Sequence, residues 1–352
     1  MAGLLGDIKL IEVAFQPAGG GTTLGKFRNI VDTGKLTLVL DGTGQMKASI
    51  PQRGFFDGAN SQLCLADILA LNTWGVEGSV RVDGFEYLVG PVTDVLQGSQ
   101  LIDVEVSDAS ALWERREIET MIDASGDLAT LFAVFHEEVI GLDNRFGTVL
   151  HLVESLVQGE RFVSSEDNMF LATMLRELAR SGVDYTMVGR NLYVNGVIDR
   201  APVATLTDAH FVGEIKVQKV GKAQANYVVV VGGSTATGGT VRGIAQDPTS
   251  IAEMGKLVRV FRESSILDVP SAVTAAEQRL ETLLDPIVIT MPTGSLISPM
   301  APVTLSQLIP GNVIRINTSA TGVSLERDFR IGSLTIHFNG TVSATFIPIG
   351  GL

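Results

Sequence analysis

The stretch Phe329-Arg330-Ile331-Gly332-Ser333-Leu334-Thr335-Ile336-His337-Phe338-Asn339-Gly340-Thr341-Val342-Ser343-Ala344-Thr345-Phe346-Ile347-Pro348 carries two runs of alternating character. Leu334, Ile336 and Phe338 interleave with Thr335 and His337, and Val342, Ala344 and Phe346 interleave with Ser343 and Thr345. A period of two builds strands with one buried face. Asn339-Gly340 between the runs signals a hairpin. A two-residue loop would set Ile336 opposite Ser343 and mix the faces. A three-residue loop, Phe338-Asn339-Gly340, sets Ile336 opposite Val342 and Leu334 opposite Ala344. Register follows the buried face, so the longer loop is predicted, with Gly340 left-handed.

The rest of the last quarter leads up to that hairpin. A helix is expected over Ser271–Leu284, with Pro270 near its start, where a missing N–H costs little. Strand Ile287–Thr290 follows, then the proline-bounded connector Ser298-Pro299-Met300-Ala301-Pro302-Val303. A Pro310-Gly311 turn and strand Asn312–Asn317 complete the approach. No residue here has a catalytic pattern, and the segment reads as a part made to be assembled.

Upstream, residues 1–112 are β-rich with Gly turns. Strands are expected at Lys35–Leu40, Ser79–Val82, Glu86–Val89 and Leu101–Val106, with Asp83-Gly84 as a hairpin turn. Residues 113–204 change character. Asp127–Val139 places Leu128, Leu131, Phe132, Phe135 and Val139 on one helical face. Ser165–Ala179 does the same with Phe170, Met174, Leu175 and Leu178, capped by Ser164 or Ser165 and stopped by Gly182. Tyr185–Val188 and Asn191–Val194 pair about Gly189-Arg190, setting Met187 opposite Leu192 and Tyr185 opposite Val194. Residues 205–233 return to β and end in Tyr227–Val231. Residues 234–285 hold a Gly/Thr/Ser-rich loop, a strand at Lys256–Phe261 and the Ser271 helix.

Composition narrows the function classes. The chain has 352 residues, 45% hydrophobic, with a mean hydropathy of +0.29. That length suits two or three domains, and that hydropathy suits apolar surface buried between subunits. The longest apolar run, near Tyr227–Val231, is too short for a spanning helix. Met1–Asp7 lacks the basic region and long apolar core of a secretory signal. Cys64 is the sole cysteine, which excludes an internal disulfide framework and a multi-cysteine zinc site and reads as a small core residue. Residues 1–112 carry 7 basic and 13 acidic groups, residues 113–205 carry 8 and 15, and residues 206–352 carry 11 and 11. The whole net charge of −13 therefore sits in the first 205 residues. Tight nucleic-acid binding, which needs clustered Lys and Arg, is not expected.

The chemistry-bearing residues are scattered. His136-Glu137-Glu138 has no second histidine four residues away, so His136 reads as a helix-surface or interface residue. His151, His210 and His337 show no metal-ligand spacing. Glu114, Glu117, Glu119 and Asp123 lie beside Arg115 and Arg116, which suits a solvated, self-paired charge run better than a glycosidase carboxylate pair. Gly232-Gly233 through Gly238-Gly239 lacks the lysine of a phosphate loop and the dinucleotide fingerprint, and reads as a mobile loop. No nucleophile elbow is present. No cofactor or metal is implied, and no enzyme activity.

A family resemblance adds to these readings. Trp113-Glu114-Arg115-Arg116-Glu117-Ile118-Glu119, with Ser125-Gly126-Asp127-Leu128-Ala129, resembles the middle region of minor tail proteins of actinobacterial long-tailed phages. Ala179–Arg190 and Asp208-Ala209-His210-Phe211 are similar too. So are Ser265–Asp268, the Ala275–Leu280 helix, Ala301-Pro302-Val303, Leu308-Ile309-Pro310-Gly311 and Phe346–Gly350. Those proteins resemble the trimeric baseplate hub family, and the likeness covers roughly residues 100–352.

The resemblance implies a β-rich α+β fold with two tube-like antiparallel β-barrels. The first would be residues 1–112, and the second 205–233 plus 286–352. Residues 113–204 would be an α/β insert, and 234–285 a loop-and-helix insert. Three subunits would supply six barrels and match a six-fold tail tube. The expected place is the tail tip of the virion, after synthesis in the host cytoplasm. The expected partners are two further copies, a distal tail or tail-tube ring protein above, tape-measure protein in the lumen, and other minor tail or fibre proteins. DNA would only pass through. Hubs often carry a hydrolase or fibre extension after this region, and this chain stops at Leu352, so such an activity is expected in another protein. The alternatives are a glycan- or receptor-binding tail-tip module and a cell-wall hydrolase. A lumen that passes DNA should be net negative, with contributors drawn from Asp32, Asp41, Asp83, Glu86, Asp94, Asp103 and Glu105. Gln16–Thr23 and Gly232–Asp247 are expected to be ordered by contacts with other chains, at Gly19, Gly20, Gly21, Gly238 and Gly239.

Overall fold

Ile336 stands opposite Val342, and Leu334 opposite Ala344, as the alternation predicts. Gly340 closes the turn with φ +87°. The computed structural model that contains this hairpin describes residues 4–21, 23–28, 34–51, 73–98, 100–155, 157–196, 201–212, 216–234, 239–264, 266–284, 287–290, 296–318 and 325–349. Cys64, Asp32 and Gly238 lie outside them.

The first third of the chain gives β1 (Ile11–Pro17), β2 (Gly25–Arg28), β3 (Lys35–Val39), β4 (Gln45–Pro51), β5 (Val76–Val82), β6 (Phe85–Gln97) and β7 (Leu101–Ser107). Next come β8 (Ile122–Asp127), α1 (Leu128–Ile140), β9 (Val149–Leu152), β10 (Gln158–Val163), α2 (Leu171–Arg180), β11 (Val183–Val188) and β12 (Asn191–Gly196). Three short strands follow: β13 (Ala204–Thr207), β14 (Phe211–Val212) and β15 (Lys216–Lys219). Then come β16 (Tyr227–Ser234), β17 (Thr240–Gln246), α3 (Pro248–Met254), β18 (Val258–Arg262) and α4 (Val269–Leu284). The chain finishes with β19 (Ile287–Thr290), β20 (Leu296–Ile297), β21 (Val313–Thr318), β22 (Leu325–His337) and β23 (Val342–Pro348).

Eleven strands form one hydrogen-bonded sheet in the order β13-β21-β22-β3-β4-β7-β6-β5-β1-β2, with β23 on the free side of β22. The fold is β-rich α+β. Among the described residues the sheet path does not close on itself. The N-terminal strands and the C-terminal hairpin are expected in separate units, yet they share this sheet and one core. That core takes Val13, Leu36, Leu38, Met46, Val80, Ile102, Ile316, Leu334 and Ile336 among others. The link is β22 against β3, where Leu334 faces Leu38 and Ile336 faces Leu36. Leu5 and Gly6 donate to the carbonyls of Ala301 and Pro299, so the N-terminal segment holds the proline-bounded connector in place.

The first insert has its own core around Trp113, Phe132, Phe135, Leu175, Leu178 and Tyr185. Asp127 begins α1 by accepting from the N–H groups of Ala129 and Thr130. The helix expected over Ser165–Ala179 breaks in two. Ser164 and Asp167 form a capping box around a single 3-10 turn, Asn168 turns left-handed at φ 47°, and α2 starts only at Leu171. Phe170, expected in the core, thus sits ahead of the helix and is 47% exposed. The β11–β12 register matches expectation, with Met187 opposite Leu192 and Tyr185 opposite Val194.

The second insert starts earlier than the sequence suggests. Tyr227–Val231, expected with the C-terminal strands, pairs with β17 and, in parallel, with β18. Val228 and Val230 pack under α4 with Val241, Ala272 and Ala276. Of the Gly/Thr/Ser-rich segment Gly232–Asp247, Gly232–Ser234 end β16 and Thr240–Gln246 form β17. Two of the inward residues of β17, Gly243 and Ala245, are too small to announce a strand. They are small because α4 lies close: a Cβ on Gly243 would fall 2.1 Å from the Ala272 carbonyl carbon.

Phe132 is fully buried, 5.8 Å from the Trp113 ring and 5.3 Å from the Tyr185 ring. Phe132→Ala should cost about 3–5 kcal/mol of first-insert stability. Urea unfolding with domain-resolved hydrogen exchange measures it, and an unchanged midpoint would disprove the packing described.

Candidate assembly surface

The outward residues of the large sheet form one polar face. On β6, β7 and β4, Asp94 stands opposite Glu105, Glu105 opposite Lys47, and Asp103 opposite Ser49. Lys35 on β3 faces Lys47, and His337 on β22 faces Lys35. Thr37, Thr335, Ser333 and Thr345 continue the face, with hydroxyl contacts Thr37–Thr335 at 3.2 Å and Ser333–Thr345 at 2.8 Å. Lys47 bridges Glu105 at 2.7 Å, and Ser49 donates to Asp103 at 2.5 Å. Leu96 and Leu101 join this face at 67% and 44% exposure. Of the proposed lumen carboxylates, the sheet gathers Asp94, Asp103 and Glu105, and sets Lys35 and Lys47 beside them.

The other described carboxylates of that group are engaged elsewhere. The Asp83 carboxylate accepts from the N–H groups of Lys9 and Leu10, tying the N-terminal segment to the β5–β6 turn. Glu86 pairs with Arg81 at 3.2 Å and lies 3.8 Å from Arg190 of the first insert. Asp41 accepts from the Tyr185 N–H at 2.8 Å and donates its own N–H to the Tyr185 carbonyl. Burial, and then the Asp184 charge, push its pKa up to about 7.

This joint between insert and sheet depends on β11, all six residues of which are buried. Tyr185 and Met187 enter the insert core, while Val188 enters the sheet core. Asp184 receives Arg330 of β22, and Thr186 donates to the Val39 carbonyl. Next to it, Arg190 from the β11–β12 turn pairs with Glu77, which is 1% exposed and also accepts from Gln16 at 2.5 Å. Nothing in β11's own sequence marks it as buried on both faces.

Gly19, Gly20 and Gly21 turn left-handed at the β1–β2 tip, and around Gly19 and Gly20 there is open space. Gly239 precedes β17 and is exposed. His136, expected at a surface or interface, is 3% exposed, edge-on to Trp113 at 5.9 Å, and burial drives its pKa down to about 4. It faces the insert core because it lies one turn after Phe132 on the packed side of α1. Of the acidic run, Glu114 pairs with Arg176, and Arg116 beside it pairs with Asp143, so these charges find partners outside the run and not within it. Among the described residues no cluster of His, Cys, Asp and Glu could hold a metal ion. Among them, too, no helix is long and apolar enough to cross a membrane.

With the eleven-stranded sheet and its two inserts in place, comparison with solved structures is decisive for the fold. A tail protein from Neisseria meningitidis superposes with a TM-score of 0.62 at 12% identity, covering 96% of each chain. The fold is that of prophage tail proteins. The prophage tail protein gp18 from Listeria monocytogenes gives a TM-score of 0.60 at 13% identity over 98% of this chain and 95% of its own. The 43 kDa tail protein of prophage MuSo2 from Shewanella oneidensis gives 0.60 at 13% identity over 96% and 98%. No family model matches the chain, and no curated protein does. The superposition covers the inserts as well as the sheet.

Asp41 supplies a test of the joint at β11. Its folded pKa, about 7, lies above its ordinary 3.8. The folded state therefore holds a proton that the unfolded chain releases. This favours folding below about pH 4 and is lost as pH rises toward 7. Asp41 adopts φ 55°, which Asn tolerates. Asp41→Asn should therefore fold and lose less stability than wild type between those pH values. Chemical denaturation across the range measures this, and parallel pH profiles would disprove it.

Proposed function

We propose that this chain is a structural phage tail protein of the virion and not an enzyme. It acts as a hub at the tail tip, where three copies form a pseudo-six-fold ring that continues or closes the tail tube. The observation that carries this reading is the match of the whole chain, sheet and inserts together, to prophage tail proteins. In the ring, residues 1–112 and the C-terminal strands act as two tube-like units fused through β3 and β22, and the first insert at 113–204 and the second, from Tyr227 to Leu284, lie outside the tube. A ring of such sheets protects strand edges by pairing them between neighbours. The edges offered are β2 and β13, the two ends of the sheet path, and the outer side of β23.

The polar face that carries Asp94, Asp103 and Glu105 is the proposed lumen wall. Against these three carboxylates stand the ammonium groups of Lys35 and Lys47, so these five residues carry a net charge of −1 per chain. The repulsion of DNA in transit is mild, and each added lysine would supply a phosphate contact. The partners in this reading are two further copies, a tail-tube or distal tail ring above, tape-measure protein in the lumen, and other minor tail or fibre proteins. The Gly19–Gly21 tip and the Gly239 loop contact neighbouring chains.

Native mass spectrometry of the full chain tests the ring. A trimer is expected, with no turnover of cell-wall fragments. A monomer at high concentration that cleaves such fragments would overturn the reading. A second measurement addresses the wall: cryo-EM of the assembled ring should place Asp103 and Glu105 on the channel. Finding them on the outer surface would remove their assigned role.

A further inference from the structure

The β17-β16-β18 sheet has one face under α4 and one open face, where Val229 at the centre is 3% exposed and the apolar residues on the flanking strands are exposed. Three rows cross the open face: Ile244–Val229–Val260, Gln246–Tyr227–Val258 and Arg242–Val231–Arg262. Ile244, Val258 and Val260 are 39%, 51% and 54% exposed. Lys256 lies 3.4 Å over the Tyr227 ring and adds a third cation. These rows contain no carboxylate. The patch is thus apolar with a basic border, on a chain whose net charge is −13.

A face of opposite character lies on the first insert. On the antiparallel β8–β10 pair, Phe162 stands opposite Asp123, and Glu160 opposite Ser125. Phe162 is 57% exposed, and Met121, just before β8, is 69% exposed. Arg161 is turned to the other side, where it meets Glu177 and Ser264, so no cation interrupts this face. Asp123, Glu160, Arg242 and Arg262 form no salt bridge among the described residues. Large exposed apolar patches with a charged rim mark interaction sites, and their charges select and steer the partner.

We infer that the open β16–β18 face docks the β8–β10 strand pair of a second copy of this chain. Phe162 and Met121 cover the exposed Ile244, Val258 and Val260, and Asp123 and Glu160 meet Arg242 and Arg262. The contact is between copies because the back of the strand pair already touches Ser264 of its own second insert through Arg161. Its Phe162 face therefore points away from that insert. The contact is head to tail, leaving one free face at each end until a ring closes. The inference rests on the ring proposed above and names the surfaces that hold it.

The test uses the full chain, with mass measured by analytical ultracentrifugation at low and high salt. Asp123→Arg with Glu160→Arg should weaken self-association about tenfold or more, as should Arg242→Glu with Arg262→Glu, because each sets like charges together. All four substitutions together should restore the wild-type mass. Salt should weaken the wild-type ring by screening the same charges. Circular dichroism of each variant excludes unfolding as the cause. A wild-type chain that never associates would sink the ring itself. A wild-type trimer that both double variants leave intact would sink only this contact, as would failure of a folded quadruple variant to recover. Restored association that requires an added tail protein would assign the face to that partner and overturn the self-contact.

Discussion

Everything in this molecule hangs on β22 pairing along both of its edges. Over its 13 residues it takes β23 on one side, and β21 and then β3 on the other. The contact with β3 joins Leu334 and Ile336 to Leu38 and Leu36, nearly three hundred residues apart in sequence. Closing so long a loop costs entropy that must be met by buried apolar rows. The rows are continuous: inward residues of the N-terminal strands and of the C-terminal hairpin enter one core. Gly332 sits at a bulge, where the β23 register shifts between Ile331 and Ser333, and bulges of this kind bend a strand.

The first insert is attached to the sheet by a strand that both cores claim. β11 sends alternate side chains to opposite cores, which a period of two makes possible. The polar residues at this joint are therefore buried and must be paired. Arg330 with Asp184, Arg190 with Glu77, and Asp41 with the Tyr185 backbone meet that requirement. Breaking one partner of such a pair leaves a desolvated charge, which costs far more than the pair itself contributes. The same demand explains why several acidic residues that look like surface charge in the sequence are used internally.

Identity of 12–13% with solved tail proteins, at nearly full coverage, is compatible with this physics. An alternating strand requires apolar residues of about the right volume on one face, and many sequences satisfy that. What such a fold needs in common is strand order, register and the close approaches. Here the last include Gly243 beneath α4 and Gly90, where a Cβ would fall 2.2 Å from the Ser107 carbonyl oxygen.

The sequence by itself determined what is local. Alternation and the Asn339-Gly340 turn set the hairpin register, and the Gly189-Arg190 turn did the same for β11 and β12. Helical periodicity located α1, because an amphipathic face must repeat every three or four residues, and Pro270 marked the start of α4. Tertiary structure decided what depends on partners far away in the chain. It joined the two expected units into one sheet, since pairing between β3 and β22 depends on matching faces that no short window contains. It moved Tyr227–Val231 into the second insert, because a run of valines fits any buried strand and its neighbours choose the sheet. It made a strand of Thr240–Gln246, whose Gly243 and Ala245 are small only because α4 lies against them. It buried His136 and drew Asp41 and Glu86 into the joint, while gathering Asp94, Asp103 and Glu105 on one face. Charge is visible in a sequence, but which face carries it follows from strand register and from what packs on the other side.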